Sequence, residues 1–165
     1  MKRRAAGILL GLVILLADQA SKYWVLHGSN LTDGHVLNIL PILDFVLVWN
    51  HGVTFGILNG SGGPAWVFLA AIALAVVAGL FIWLWTTERL VTTLAIGAIA
   101  GGAVGNVLDR LRYGAVVDFI EAHIGAYAFY VFNIGDSAIV CGVAVLMAES
   151  IFRGRRAVAA EPRRR

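Results

Sequence analysis

Four long apolar stretches dominate the pattern of hydrophobic and polar positions, at about 5–26, 64–85, 90–108 and 134–152. Each comes close to the roughly 20 residues that a helix needs to cross the hydrocarbon core of a bilayer. The pattern predicts four membrane-spanning helices, the second without a single charge. The first has the basic start and apolar middle of a signal peptide. Asp18 and Lys22 follow where small residues would mark a cleavage site, so it reads as a retained anchor.

The segments between the spans are unusually apolar for loops. "FVLVWNHGVTFGIL" (45–58) places two β-branched and aromatic runs around Asn50-His51-Gly52, which predicts a short hairpin lying on the membrane surface. "FIEAHIGAYAFYVF" (119–132) is rich in the aromatic residues that favour a membrane interface. In the third span Gly97, Gly101 and Gly105 recur every four residues along one helical face, a stripe that lets another helix approach closely.

Composition supports the membrane reading. The 165 residues are 59 % hydrophobic and 14 % charged, against about 25 % charged in soluble domains. One membrane-embedded domain over 1–165 is expected, mainly α, with four transmembrane helices and a small extracytoplasmic β element. The net charge is +3. All Lys and Arg except Lys22, Arg110 and Arg112 fall in the N-terminus, the turn at Arg89 or the segment 153–165. Such an excess marks cytoplasmic segments, so both termini face inward, and 27–63 and 109–133 face outward. The segment 153–165 reads as a solvated basic tail. Basic runs that flank hydrophobic spans argue against a nucleic-acid partner. The lone Cys141 excludes an internal disulfide and reads as a small core residue of the fourth span.

An isolated ionisable group in hydrocarbon costs at least about 2.5–3.5 kcal/mol on insertion scales, so it needs a partner or a task. In this topology several lie at one depth, near the outer leaflet. Asp18 and Lys22 are four apart and pair on one helix face. Asn106, Asp109 and Arg110 either brace one another or support a site, and the Arg110 fork can orient a carboxylate. Glu149 has Arg153 as its local ion-pair partner. Asn133 can cap the fourth span with Asp136 as its third helical residue, where the dipole also favours a carboxylate. Asp118, in "AVVDFIEAH", has no such local role. Spans 3 and 4 are antiparallel and packed helices sit about 8–10 Å apart, so their connection can carry Asp118 over the start of span 4, beside Asp136. Two adjacent carboxylates in a dry place share one proton, and such a pair performs general acid–base hydrolysis of a peptide bond.

Other chemistries lack their residues. His27, His35, His51 and His123 have no metal-ligand spacing and HExxH is absent, so neither metal nor cofactor is expected. No GxSxG surrounds a serine. A proton-coupled transporter or channel using Asp18, Asp118 and Asp136 is the alternative, although the carboxylates gather at one face instead of threading the membrane. A presenilin-like protease would need Gly in place of Asn133, and a passive scaffold leaves the polar groups unexplained.

"DQASK" (18–22), "NHGVTFG" (50–56), "GGAVGNVLDR" (101–110), "VVDFI" (116–120) and "FNIGDSAI" (132–139), in this order, resemble the motifs of lipoprotein signal peptidase, signal peptidase II. That family comprises aspartyl proteases of the bacterial inner membrane, and the likeness runs from about Asp18 to Ile139. The resemblance implies that Asp118 and Asp136 are the catalytic pair. It implies that Asn106, Asp109, Arg110 and Asn133 support or line the site. Asn50, Gly52, Asp18 and Lys22 would have structural or substrate-contact roles. It implies a substrate prolipoprotein cut just before a cysteine carrying diacylglycerol. The acyl chains and signal helix of such a substrate already lie in membrane lipid, so gaps between spans can admit them laterally, and a monomer is expected. The family fold adds a short surface helix. Gly135 stands where Ala is usual, and Thr54 where Ala or Ser is usual.

Overall fold

The computed structural model describes residues 2–29, 31, 35–52, 65–125 and 127–160. Four helices are long and apolar enough to cross a bilayer: α1 (Lys2–His27), α2 (Ala65–Thr86), α3 (Leu90–Tyr113) and α4 (Ile134–Ala160). Four strands stand beside them among the described residues: β1 (Val36–Leu40), β2 (Leu43–Asn50), β3 (Val116–Ile124) and β4 (Tyr127–Phe132). They form one antiparallel sheet in the order β1-β2-β3-β4.

α3 is the centre of the bundle. Its membrane window is 67 % buried, against 17 % or less for the other three helices, which pack around it. The glycine stripe explains how. A Cβ on Gly97 would collide with the Gly7 carbonyl of α1, and one on Gly101 with the Gly11 carbonyl. A Cβ on Gly105 would fall on the Asp18 carboxylate. The stripe therefore packs α1 on α3 through its first two members and makes room for a charged group at the third. The neighbouring Gly102 faces the Gly135 carbonyl of α4 in the same way.

The sheet adds to the sequence reading. The expected hairpin around Asn50-His51-Gly52 has β2 as its first arm, while its second arm, 53–58, Thr54 included, lies outside the described residues. A further hairpin, β1–β2, turns at Pro41-Ile42. The aromatic segment 119–132 is a second hairpin, β3–β4, reversing at Gly125 with φ +58°.

α3 runs beyond the expected span to Tyr113 and is closed by Gly114 in the left-handed region (φ +70°), whose N–H donates to the Arg110 carbonyl. Helix α4 likewise continues through 153–160, where a solvated tail is expected. Ala and Arg, abundant there, are strong helix formers, which carries the helix past the apolar run. Glu149 is bound by Arg89 (3.2 Å) and the Thr92 hydroxyl (2.6 Å) across the α3–α4 interface, not by Arg153. Cys141 is exposed on the outer face of α4 rather than in the core, since α4 turns only one face to α3.

Candidate active site

Asn133 is the junction between β4 and α4. Its side-chain oxygen accepts the Asp136 backbone N–H (2.8 Å), and an Asp136 carboxylate oxygen lies 3.4 Å from the Asn133 backbone N–H. This is the reciprocal box that the sequence predicts, and it satisfies two of the amide donors that a helix start leaves unpaired. Asn133 is fully buried, so its remaining donor must also find a partner. Its Nδ2 donates to Asp118 Oδ1 at 2.7 Å and to Asn106 Oδ1 at 3.1 Å. One asparagine thus bonds both acidic residues.

Asp118 comes from the buried end of β3, where Val116 to Phe119 are all enclosed. Val48 of β2 stands opposite Asp118. Asn50, two residues on, shares Val48's face of the sheet and is the diagonal neighbour of Asp118. Its Nδ2 donates to Asp118 Oδ2 at 2.9 Å. The Asn50 oxygen accepts the Gly52 N–H at 2.8 Å, and Gly52 has φ +72°, so this turn requires glycine. A Cβ there would also strike Leu69 of α2.

Beneath this layer lies a buried ion cluster. The Lys22 ammonium, from α1, is 2.8 Å from Asp18 and 2.7 Å from Asp109 of α3. It also donates to Asn106 Oδ1 at 3.0 Å. An ammonium can only donate, which fixes the Asn106 amide with its nitrogen turned away from Lys22. That nitrogen donates to Asp136 Oδ1 at 2.8 Å. The two carboxylates of the cluster are spent on the scaffold: Asp18 accepts the Gly135 N–H (2.8 Å), and Asp109 accepts the Val117 N–H (3.2 Å). Each therefore ties the cluster to the backbone next to one of the two candidate acids.

A cleft of about 420 Å³ opens over Asp118, between Asn50, His51 and Gly52 on one side and Tyr130 and Val131 on the other. Burial, first of all, raises the Asp118 pKa from 3.8 to about 6; the Asn50 hydrogen bond opposes this, and the Asp136 charge adds to it. Asp136 is more open to solvent than Asp118. Burial and then the charges of Asp136 and Asp118 hold the Tyr130 hydroxyl above its ordinary value. Arg110 donates to the Asn106 carbonyl at 3.2 Å, lies beside Gly52, and keeps a buried Nε with no partner among the described residues.

Asp18, Lys22, Asn50, Gly52, Asn106, Asp109, Arg110, Asp118, Asn133 and Asp136 are thus all drawn into one connected region. Gln19 and Tyr130 join them without a sequence signal. Gln19 donates to Asp109 (3.0 Å) and accepts from Arg112 (2.9 Å), roles that a lone amide beside a charged pair does not announce. Tyr130 is one aromatic among many in its hairpin.

Comparison with known proteins places the chain as a whole. The family model described as signal peptidase (SPase) II matches residues 10–152. A lipoprotein signal peptidase of Methylorubrum extorquens is 41% identical over 92% of this chain and 89% of its own. One from Rhodopseudomonas palustris is 43% identical over 88% of this chain and 91% of its own. Two bacterial membrane enzymes solved by the in meso method share the fold. One superposes with a TM-score of 0.78 at 26% identity, covering 98% of this chain and 94% of the other. The second gives 0.77 at 29%, covering 88% and 92%. The chain is a multi-pass membrane protein that belongs to the signal peptidase II family of peptidases.

Proposed function

We propose that Asp118 and Asp136 are the catalytic pair of an aspartic endopeptidase that cuts the signal peptide from prolipoproteins, just before a diacylglyceryl-modified cysteine. The observation that carries this is Asn133, which hydrogen-bonds both acids at once. Asp118, the more buried, starts protonated. Asp136, in the first turn of α4, acts as the base. Asp136 takes a proton from water as the oxygen attacks the scissile carbonyl carbon, and Asp118 gives its proton to the carbonyl oxygen. In the collapse of the tetrahedral diol the C–N bond breaks. The leaving nitrogen takes the proton from Asp136, and a diol hydroxyl returns one to Asp118. Both acids end as they began.

Asn50, Asn106 and Asn133 hold the acids in place; Lys22 holds the Asn106 amide, and Asp18 and Asp109 hold Lys22 and the backbone beside the acids; Gly52 shapes the cleft wall. Arg110, which lies beside Gly52 with a donor that meets no partner among the described residues, faces the substrate backbone. The enzyme acts as a single membrane domain and a monomer, with both termini cytoplasmic and the cleft at the extracytoplasmic face. A transporter is not favoured: Asp18 is bound by Lys22 and the Gly135 N–H, so among the described residues it is not free to relay protons.

Asp118→Asn and Asp136→Asn are each expected to keep the protein folded and inserted. Each should lower cleavage of a lipid-modified precursor by at least about 10²–10⁴-fold, the usual weight of general acid–base catalysis. Processing at the native rate by either variant would remove that acid from the mechanism.

A further inference from the structure

The bundle holds a second cavity, far from the dyad and of different chemistry. It is a slot of about 280 Å³ between α1, α2 and α3, lined only by apolar residues and glycine. It runs from Gly7 and Leu84 at one end to Leu15 and Val104 at the other, past Val77 and Ala100. At 1.5 Å per residue the α1 wall is about 12 Å long, close to the roughly 15 Å of hydrocarbon in one leaflet. A cavity of about 280 Å³ is room for a polymethylene segment and far too small for a helix about 10–12 Å across.

The Gly7 and Leu84 end of the slot adjoins a charged region. Arg4 precedes Gly7 by three residues and Thr87 follows Leu84 by three, so the first turn of α1 and the α2–α3 connection line a separate cleft of about 360 Å³. Lys2, Arg3, Arg4 and Glu88 surround it. Arg3 reaches across to the Glu88 carbonyl at 2.6 Å, and the Arg4 guanidinium lies 5.4 Å from the Trp85 ring centroid. Three cations against one carboxylate, beside an aromatic residue of the kind found at bilayer interfaces, favour an anion at headgroup depth.

We propose that an anionic phospholipid of the leaflet on the N-terminal side is held here, with one acyl chain in the slot and its phosphate among Lys2, Arg3 and Arg4. The diacylglyceryl group of the proposed substrate carries no phosphate to meet these cations, and the dyad lies toward the opposite end of α1. The basic n-region of a signal peptide would be repelled by them. Leu15 is one turn from Asp18, so the lipid tail ends just below the buried ion cluster and closes the gap between α1 and α2 on that side.

The test is native mass spectrometry of the full-length protein in detergent, with phosphatidylglycerol or phosphatidylcholine added at equal concentration. The proposal expects one phosphatidylglycerol to be retained preferentially. Each of Arg3→Gln and Arg4→Gln should lower that preference about fivefold. Ala100→Phe and Val77→Phe, which fill the slot from two different helices, should lower retention of both lipids. All four variants should still process a prolipoprotein, which also reports folding, and none contributes to the dyad. Equal retention of the two lipids by the unaltered protein would overturn the proposal. So would full retention by a folded Ala100→Phe or Val77→Phe variant, since the headgroup would then bind without the slot.

Discussion

Asn133 caps a helix and bridges two acids with the same side chain, so the first turn of α4 and the candidate dyad have one geometry. The consequence at the residue scale is a pH profile. A carboxyl raised to about 6 by burial serves as an acid only while protonated, so kcat/KM should fall as pH rises through about 6. Asn50 donates to the ionised form and thereby lowers this pKa. Asn50→Ala should move the alkaline limb to higher pH, read from pH–rate profiles with a lipidated peptide; an unmoved limb would mean that the titrating group is not Asp118. Lys22 offers a second check. Its removal leaves Asp18 and Asp109 buried without their cation, and breaking a buried pair costs roughly 3–5 kcal/mol. Lys22→Met should therefore lower the thermal midpoint strongly, and adding Asp109→Asn should recover part of the loss. No recovery would show that charge balance is not what Lys22 supplies. The sequence announces these ionic residues because charge in an apolar run is conspicuous. It is silent about Gln19 and Tyr130, whose roles depend on neighbours from other elements.

Among the elements, helices and strands differ in how openly the sequence declares them. A run of some 20 apolar residues has few alternatives to a spanning helix, and α1 to α4 follow those runs. The sheet is harder to read. The first four residues of β3 are all buried, so both its faces are enclosed and, Asp118 apart, no polar alternation appears. The edge strand β1 is exposed along its whole length and equally lacks a polar face. Which strand pairs with β2 is decided by the junctions at Gly114 and Asn133, which bring β3 and β4 back from distant helices. The packing of α1 on α3 yields a prediction with its own control. Ala gains up to about 1 kcal/mol over Gly from helix propensity, but at Gly97 or Gly101 its Cβ would overlap a backbone carbonyl that no rotamer change can move. Overpacking of this kind costs typically about 1–3 kcal/mol, so Gly97→Ala and Gly101→Ala should be less stable in thermal unfolding. Gly79→Ala, on α2, meets nothing within 4 Å and should be neutral or slightly stabilising. If all three behave alike, close helix approach is not the function of the stripe.

For the whole molecule the ordering principle is the segregation of its two ends. At one end Arg3 bonds the Glu88 carbonyl and Arg89 bonds Glu149, so the first turn of α1, the α2–α3 connection and the Glu149 level of α4 meet. The other end carries the sheet, the cleft and the dyad. Lys and Arg concentrate at the first end, and translocation disfavours such segments, so the first end should be cytoplasmic and the cleft should face outward. This arrangement suits the proposed substrate, whose scissile bond follows a membrane-spanning signal helix and enters the cleft from the outer leaflet. The orientation can be read directly by thiol labelling. Cys141 is exposed on α4, so it is first replaced by Ala. In that background His35→Cys, exposed beside β1, should react with a membrane-impermeant maleimide added to intact spheroplasts. Glu88→Cys, exposed in the α2–α3 connection, should react only after permeabilisation. The reverse pattern would invert the protein in the membrane. The cleft would then face the cytoplasm, on the wrong side for a precursor whose mature portion has crossed.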